Sequence, residues 1–207
     1  MIRKALLTTA AAMVIMALSS VAHADPITFN GGFGVTGSVS NYSLNGNTFT
    51  FTVTNTSSSG SITAIGANLP GSRPNYTLSS STNPNFTLAN DEAAQAGAQN
   101  FTSSFDFALL TGSNFGGGTV AEGIIAGVAP QNSATFTVTG DFSGLTADQI
   151  VQSLILRFQG IGPQDQSTIG LPNPNNPVPE PMTMVLLGTG LAGVAARVRR
   201  QRQRNKV

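Results

Sequence analysis

Carboxylates are the side chains in the body of this chain with the chemistry to act as acid, base or nucleophile. The sequence has no cysteine, and its one histidine, His23, sits in an N-terminal leader. Once that leader is removed, Cys/His zinc sites, Ser-His-Asp triads and Cys-His dyads have no residues to build them. Two acids held ~5–9 Å apart can cleave a glycosidic bond, and Asp106, Glu122 and Asp141 fall on or beside expected strands. Nothing in their spacing makes two of them converge, so they read as solvated surface acids and no catalytic residue is assigned. Calcium loops gather several carboxylates and carbonyls over a short stretch, and no D-x-D-x-D-G run occurs. The expectation is a protein with no metal site, no cofactor and no enzymatic activity.

Other chemistry-bearing features are weaker. Asn-x-Ser/Thr sequons occur at Asn41, Asn55, Asn75, Asn85 and Asn100. In a chain this rich in Asn, Ser and Thr they follow from composition and turn chemistry unless the host glycosylates them. Sugar-binding platforms favour Trp and Tyr; here Trp is absent and Tyr is limited to Tyr42 and Tyr76, so the alternating Phe residues read as core. Between residues 25 and 177 the only cations are Arg73 and Arg157, against eight acids. Nucleic acid binding needs a basic footprint, so that class is excluded.

The elements at the two ends concern transport. Arg3 and Lys4 precede an apolar stretch, Ala5 to Leu18, and Ala22-His23-Ala24 closes it with an A-x-A pattern. This is the form of a secretory signal peptide, residues 1–24, cleaved between Ala24 and Asp25. At the other end Val178-Pro179-Glu180-Pro181 is followed by an uncharged apolar run, residues 182–196. A basic tail, 197–207, carries Arg197, Arg199, Arg200 and Arg202. Fifteen helical residues span roughly 22 Å, short of a ~30 Å hydrocarbon core, but flanking Arg side chains can snorkel. The Arg cluster keeps its end cytoplasmic, so Pro181 faces outward. Pro179 and Pro181 hold Glu180 on extended backbone. Gly188-x-Gly190-x-x-Gly193 spells a dinucleotide fingerprint but lacks the βαβ unit and acidic residue it requires.

Residues 178–204 resemble the PEP-CTERM sorting signal: the Val-Pro-Glu-Pro element, a short Gly/Ala-containing apolar run and an Arg cluster, in that order. The resemblance implies that a membrane-embedded protease-transpeptidase, exosortase, recognises Pro179, Glu180 and Pro181 and removes the tail. It also implies a Gram-negative-type bacterium that makes exopolysaccharide. It covers about an eighth of the chain and describes sorting.

Between the two signals the pattern is β. Thr48-Phe49-Thr50-Phe51-Thr52-Val53-Thr54 alternates strictly, as does Ala134-Thr135-Phe136-Thr137-Val138-Thr139. Asn45-Gly46 marks a hairpin, and Thr146-Ala147-Asp148-Gln149 has capping-box spacing for a short helix. Asn90 to Ala96 reads as a helical turn capped by Asn90. About eight short strands with turns between them predict an antiparallel β-sandwich or jelly-roll-like ectodomain over 25–161, with one or two short helices. Residues 162–177 are Pro/Asn/Gly-rich without period and read as an extended linker.

Taken together, the sequence predicts a non-catalytic exported protein of the cell envelope or exopolysaccharide matrix. Its partners are Sec-type export machinery, signal peptidase, an exosortase-like enzyme and, transiently, the inner membrane. A carbohydrate-binding or adhesive module, with extracellular polysaccharide as partner, is the alternative; a carboxylate hydrolase is the third reading.

Overall fold

Alternation at period two fixes most of the strands. In β3 (Thr48–Asn55) Phe49, Phe51 and Val53 are fully buried while the threonines between them are half-exposed. β8 (Ser133–Thr139) repeats this with Ala134, Phe136 and Val138 inward. The two pair antiparallel, in unbroken register from Thr48↔Thr139 to Thr54↔Ser133. β2 (Thr36–Asn45) reaches β3 through a two-residue turn whose first residue, Gly46, has φ +57°, a conformation that costs glycine little.

The computed structural model describes residues 26–71, 73, 75–96, 101–116 and 125–173. All fall in one unit, Ala24–Asn176. The remaining strands are β1 (Ile27–Gly31), β4 (Ser61–Ala67), β5 (Thr77–Ser81), β6 (Thr87–Ala96), β7 (Phe101–Leu110), β9 (Leu154–Ile161) and β10 (Gln166–Pro172). The fold is mainly antiparallel β, with 56% strand and little helix. The ten strands among the described residues form one sheet in the order β5-β8-β3-β2-β1-β10-β9-β4-β7-β6, coiled nearly into a barrel.

Two features differ from the sequence expectation of separate, sandwiched sheets, and they share a cause. Gly162–Gln164 forms a 3-10 turn and Gln166–Pro172 becomes β10, so the stretch from 162 to 172 is folded chain rather than linker. β10 pairs with both β1 and β9. It therefore joins the β5-β8-β3-β2-β1 half to the β9-β4-β7-β6 half, which would otherwise be two sheets. The Pro and Asn content of the stretch hides Thr168 and Gly170, which are both buried.

A third expectation is corrected at residues 90–96. They belong to β6, paired with β7 from Thr87↔Leu110 to Ala96↔Phe101. That ladder satisfies far more backbone groups than one helical turn could. Asn90 does not cap a helix. Its side-chain amide accepts from Tyr76 N at 2.7 Å and donates to Tyr76 O at 3.1 Å. It thereby substitutes for a strand partner between the two edges of the sheet.

Among the described residues nine phenylalanines are fully buried. Rings of Phe49, Phe142, Tyr76 and Phe107 follow one another at centroid distances of 5.9, 5.1 and 5.0 Å, crossing the interior from β3 to β7. The capping box forms as expected: Gln149 N donates to Thr146 Oγ1 and Thr146 N donates to Gln149 Oε1. It starts α1 (Ala147–Gln152), which buries Ile150 and Val151. Tyr42 donates its hydroxyl to Asp148 Oδ1 at 2.7 Å and ties α1 to β2.

Candidate functional site

Asp106 and Asp141 come from β7 and the turn after β8, and both reach Arg73. Asp106 is 7% exposed and accepts from Leu69 N at 2.7 Å and Arg73 N at 2.9 Å, one amide on each oxygen. It thus anchors the loop between β4 and β5. Asp141 is exposed and pairs with the Arg73 guanidinium at 3.6 Å. Hydrogen bonds from Ser143, helped by Arg73, hold its carboxyl below the usual range. A hydrolytic pair needs two carboxyls facing one open space. Here one is committed to backbone amides and the other to a surface ion pair. Glu122 lies outside the described residues. Among those described, no group of three or more His, Asp or Glu is placed to hold a metal ion.

The sequons divide by burial. Asn55 is fully buried: its amide donates to Gly60 O and Val128 O and accepts from Ser57 N. Asn41, Asn75 and Asn85 are exposed, and Asn100 lies outside the described residues. The role of Asn55 was not legible, because its distant partner Val128 is brought close only by the fold.

The most regular surface is the outer face of β2, β3, β8 and β5. Hydroxyls of directly opposed residues meet across β3 and β8: Thr50 with Thr137 at 3.2 Å, Thr52 with Thr135 at 2.9 Å, Thr54 with Ser133 at 2.8 Å. Ser79 extends the row to β5 by meeting Thr139 at 2.7 Å. On the other flank Ser38 and Ser40 of β2 stand opposite Thr54 and Thr52. None of these four strands contains Asp, Glu, Lys or Arg. Each hydroxyl pair uses one of its two protons internally and leaves the other, with its free lone pairs, for an outside partner. The Thr-x-Thr alternation was readable in the sequence. That residues 133–139 would lie beside residues 48–54 was not.

The sorting residues Val178, Pro179, Glu180 and Pro181, the topology residues Arg197, Arg199, Arg200 and Arg202, and the cleavage pair Ala24 and Asp25 all lie outside the described residues. So do the expected signal helix and the apolar run 182–196. Among the described residues no helix is long and apolar enough to cross a membrane. Comparison with known families finds the PEP-CTERM protein-sorting motif at residues 177–200. The chain carries a PEP-CTERM sorting signal. The motif marks it as exosortase-targeted and exported, with membrane-anchored transit before it reaches the cell surface. Neither the curated proteins nor the solved structures include a match to the chain.

Proposed function

We propose that this protein is a non-catalytic component of the cell envelope or exopolysaccharide matrix. It is exported through Sec-type machinery, cleaved by signal peptidase after Ala24, and released when an exosortase-type enzyme removes its tail. The PEP-CTERM motif at 177–200 carries the reading. The commitment of Asp106 to two backbone amides supports a body that works by binding or bulk. Glu180, set between two prolines, is the recognition residue. Glu180→Ala should leave export intact and the tail attached, so cell fractionation should find the variant in the membrane and the wild type released. Release of both at the same rate would refute the role of Glu180.

The uncharged hydroxyl face favours a second reading, a carbohydrate-binding or adhesive module. A surface without charges suits a neutral polyhydroxyl polymer, and such binding would resist salt because no ion pairs contribute. Pull-down on neutral polysaccharides in low and high salt tests it. Equal retention in both supports the reading, and no retention in either rejects it.

A further inference from the structure

Arg157 is a charged side chain, 5% exposed, on the opposite outer face of the sheet. It lies in β9 opposite Ile169 of β10 and Ala64 of β4. Its chain neighbours Leu156 and Phe158 belong to the main core, so its side chain is turned to the outside of the sheet. Nε has no partner, and Nη2 reaches Ser167 Oγ at 3.5 Å, the outer limit of a hydrogen bond.

The described acids are engaged elsewhere or make no ion pair with it. Asp141 pairs with Arg73, and Asp106, Glu92 and Asp148 accept from Leu69 and Arg73, from Phe115 and from Tyr42. Burial lowers the pKa of Arg157, yet guanidinium does not lose its proton in proteins. The charge therefore stays, and a buried charge without compensation is among the costliest features a fold can hold.

Thr63 supplies a second orphan. Its Oγ1 is the other buried side-chain polar atom without a partner among the described residues. It sits where the β4–β9 register slips, between Ile62 opposite Phe158 and Ala64 opposite Arg157. Such bulges re-aim side chains. Two orphaned groups thus occupy adjacent register positions on neighbouring strands. Nε–H and the adjacent Nη2–H of a guanidinium form a side-on fork that matches two oxygens of one carboxylate. Ser167 and Ile169, on the neighbouring strand β10, are only half-buried.

We propose that Arg157, with Thr63 and Ser167, forms a carboxylate-binding site on the outer face of β4, β9 and β10. The ligand is a free carboxylate or the acidic group of a polymer. The fork takes both oxygens, and the hydroxyls of Thr63 and Ser167 supply neutral contacts at its edge.

Thermal melting of the full-length protein, with acetate titrated against chloride at equal ionic strength, tests this. Ligand binding to the folded state should raise the melting temperature logarithmically with acetate concentration, by about 3–6 °C at ten times the dissociation constant. Arg157→Met, which keeps the volume and removes the charge, should lose the response yet melt no lower than wild type without acetate. Arg157→Lys should keep the charge but weaken acetate binding about tenfold, and Thr63→Val should weaken it less. Broadening of acetate NMR signals by wild-type protein, and its loss in Arg157→Met, reads binding independently of stability. An oligouronate in place of acetate then separates the two sources: half-saturation at much lower carboxylate concentration points to a polymer, equal half-saturation to a free acid. A flat acetate response in wild type, or an equal one in Arg157→Met, overturns the proposal.

Discussion

The two outer faces of this sheet are built from similar strands and come out differently. On the β3–β8 side the register runs unbroken, inward residues are apolar, and outward residues are hydroxyl-bearing and half-exposed. On the β4–β9 side the register slips after Ile62, and all seven residues of β4 are buried. A second apolar cluster, including Phe105, Ala108, Leu110 and Phe115, covers that side, and Arg157 lies within the buried part. One face is thus a solvated lattice and the other an inner layer with a charge in it. Strand alternation creates the first. What packs on top creates the second.

Asn55 joins the two regions, and breaking it should have the largest effect. It ends β3, and its amide holds Val128, which bridges to Ile62 of β4. Asn55→Ala leaves Gly60 O, Val128 O and Ser57 N without that partner in a buried setting. The expected loss is about 3–5 kcal/mol in urea unfolding. A loss below about 1 kcal/mol would mean that the halves hold together without it.

Gly66→Ala probes the covered face alone. A Cβ at Gly66 would stand 2.6 Å from the Phe105 ring, so the ring must shift within a packed cluster. The expected cost is about 2 kcal/mol. An unchanged melting temperature would show that the cover over β4 is loose.

Much of the open face was legible, and the covered face was not, for physical reasons. Thr48 to Thr54 and Ala134 to Thr139 announce themselves because one side meets core and the other meets water. Around Ile62, Ala64 and Ile65 nothing local reveals that Ala64 faces a second cluster supplied by Phe105 and Phe115. Arg157 read as one of two stray cations until the strands on either side of it were placed. β10 escaped notice because Pro, Asn and Gly usually mark linkers, whereas Gly170 is selected by contact: a Cβ there would stand 2.8 Å from the Phe158 ring. Asn90 looked like a helix cap because its local sequence suits one. Its partner, the backbone of Tyr76, is fourteen residues away.

Tyr76 marks the seam where the sheet edges approach, and it gives a smaller effect with a definite pH window. Burial, reinforced by Asp106, lifts its phenol from the usual value near 10 to about 12. The folded chain therefore holds this proton more tightly than the unfolded chain. The associated stability is complete below pH 10 and is lost as pH rises through 12. Tyr76→Phe should flatten that part of the stability profile while losing about 1 kcal/mol at neutral pH, from the hydrogen bond to Asp141 O. An unchanged alkaline profile would place the phenol in water.

The smallest effect is expected on the open face. Replacing both Thr52 and Thr135 by Val keeps shape and strand preference while removing one half-exposed hydroxyl pair. Stability should change by no more than about 0.5 kcal/mol. A loss above about 2 kcal/mol would show that the hydroxyl lattice holds the fold, and would weaken the case for it as a contact surface.

Intact mass of the native product, isolated from cells, addresses the account as a whole most directly. A mature chain beginning at Asp25 and lacking the tail after the Pro179-Glu180-Pro181 region is predicted for wild type, with the tail retained in Glu180→Ala. A product that retains both Met1 and Val207, or a tail trimmed as completely from the variant as from wild type, would contradict it.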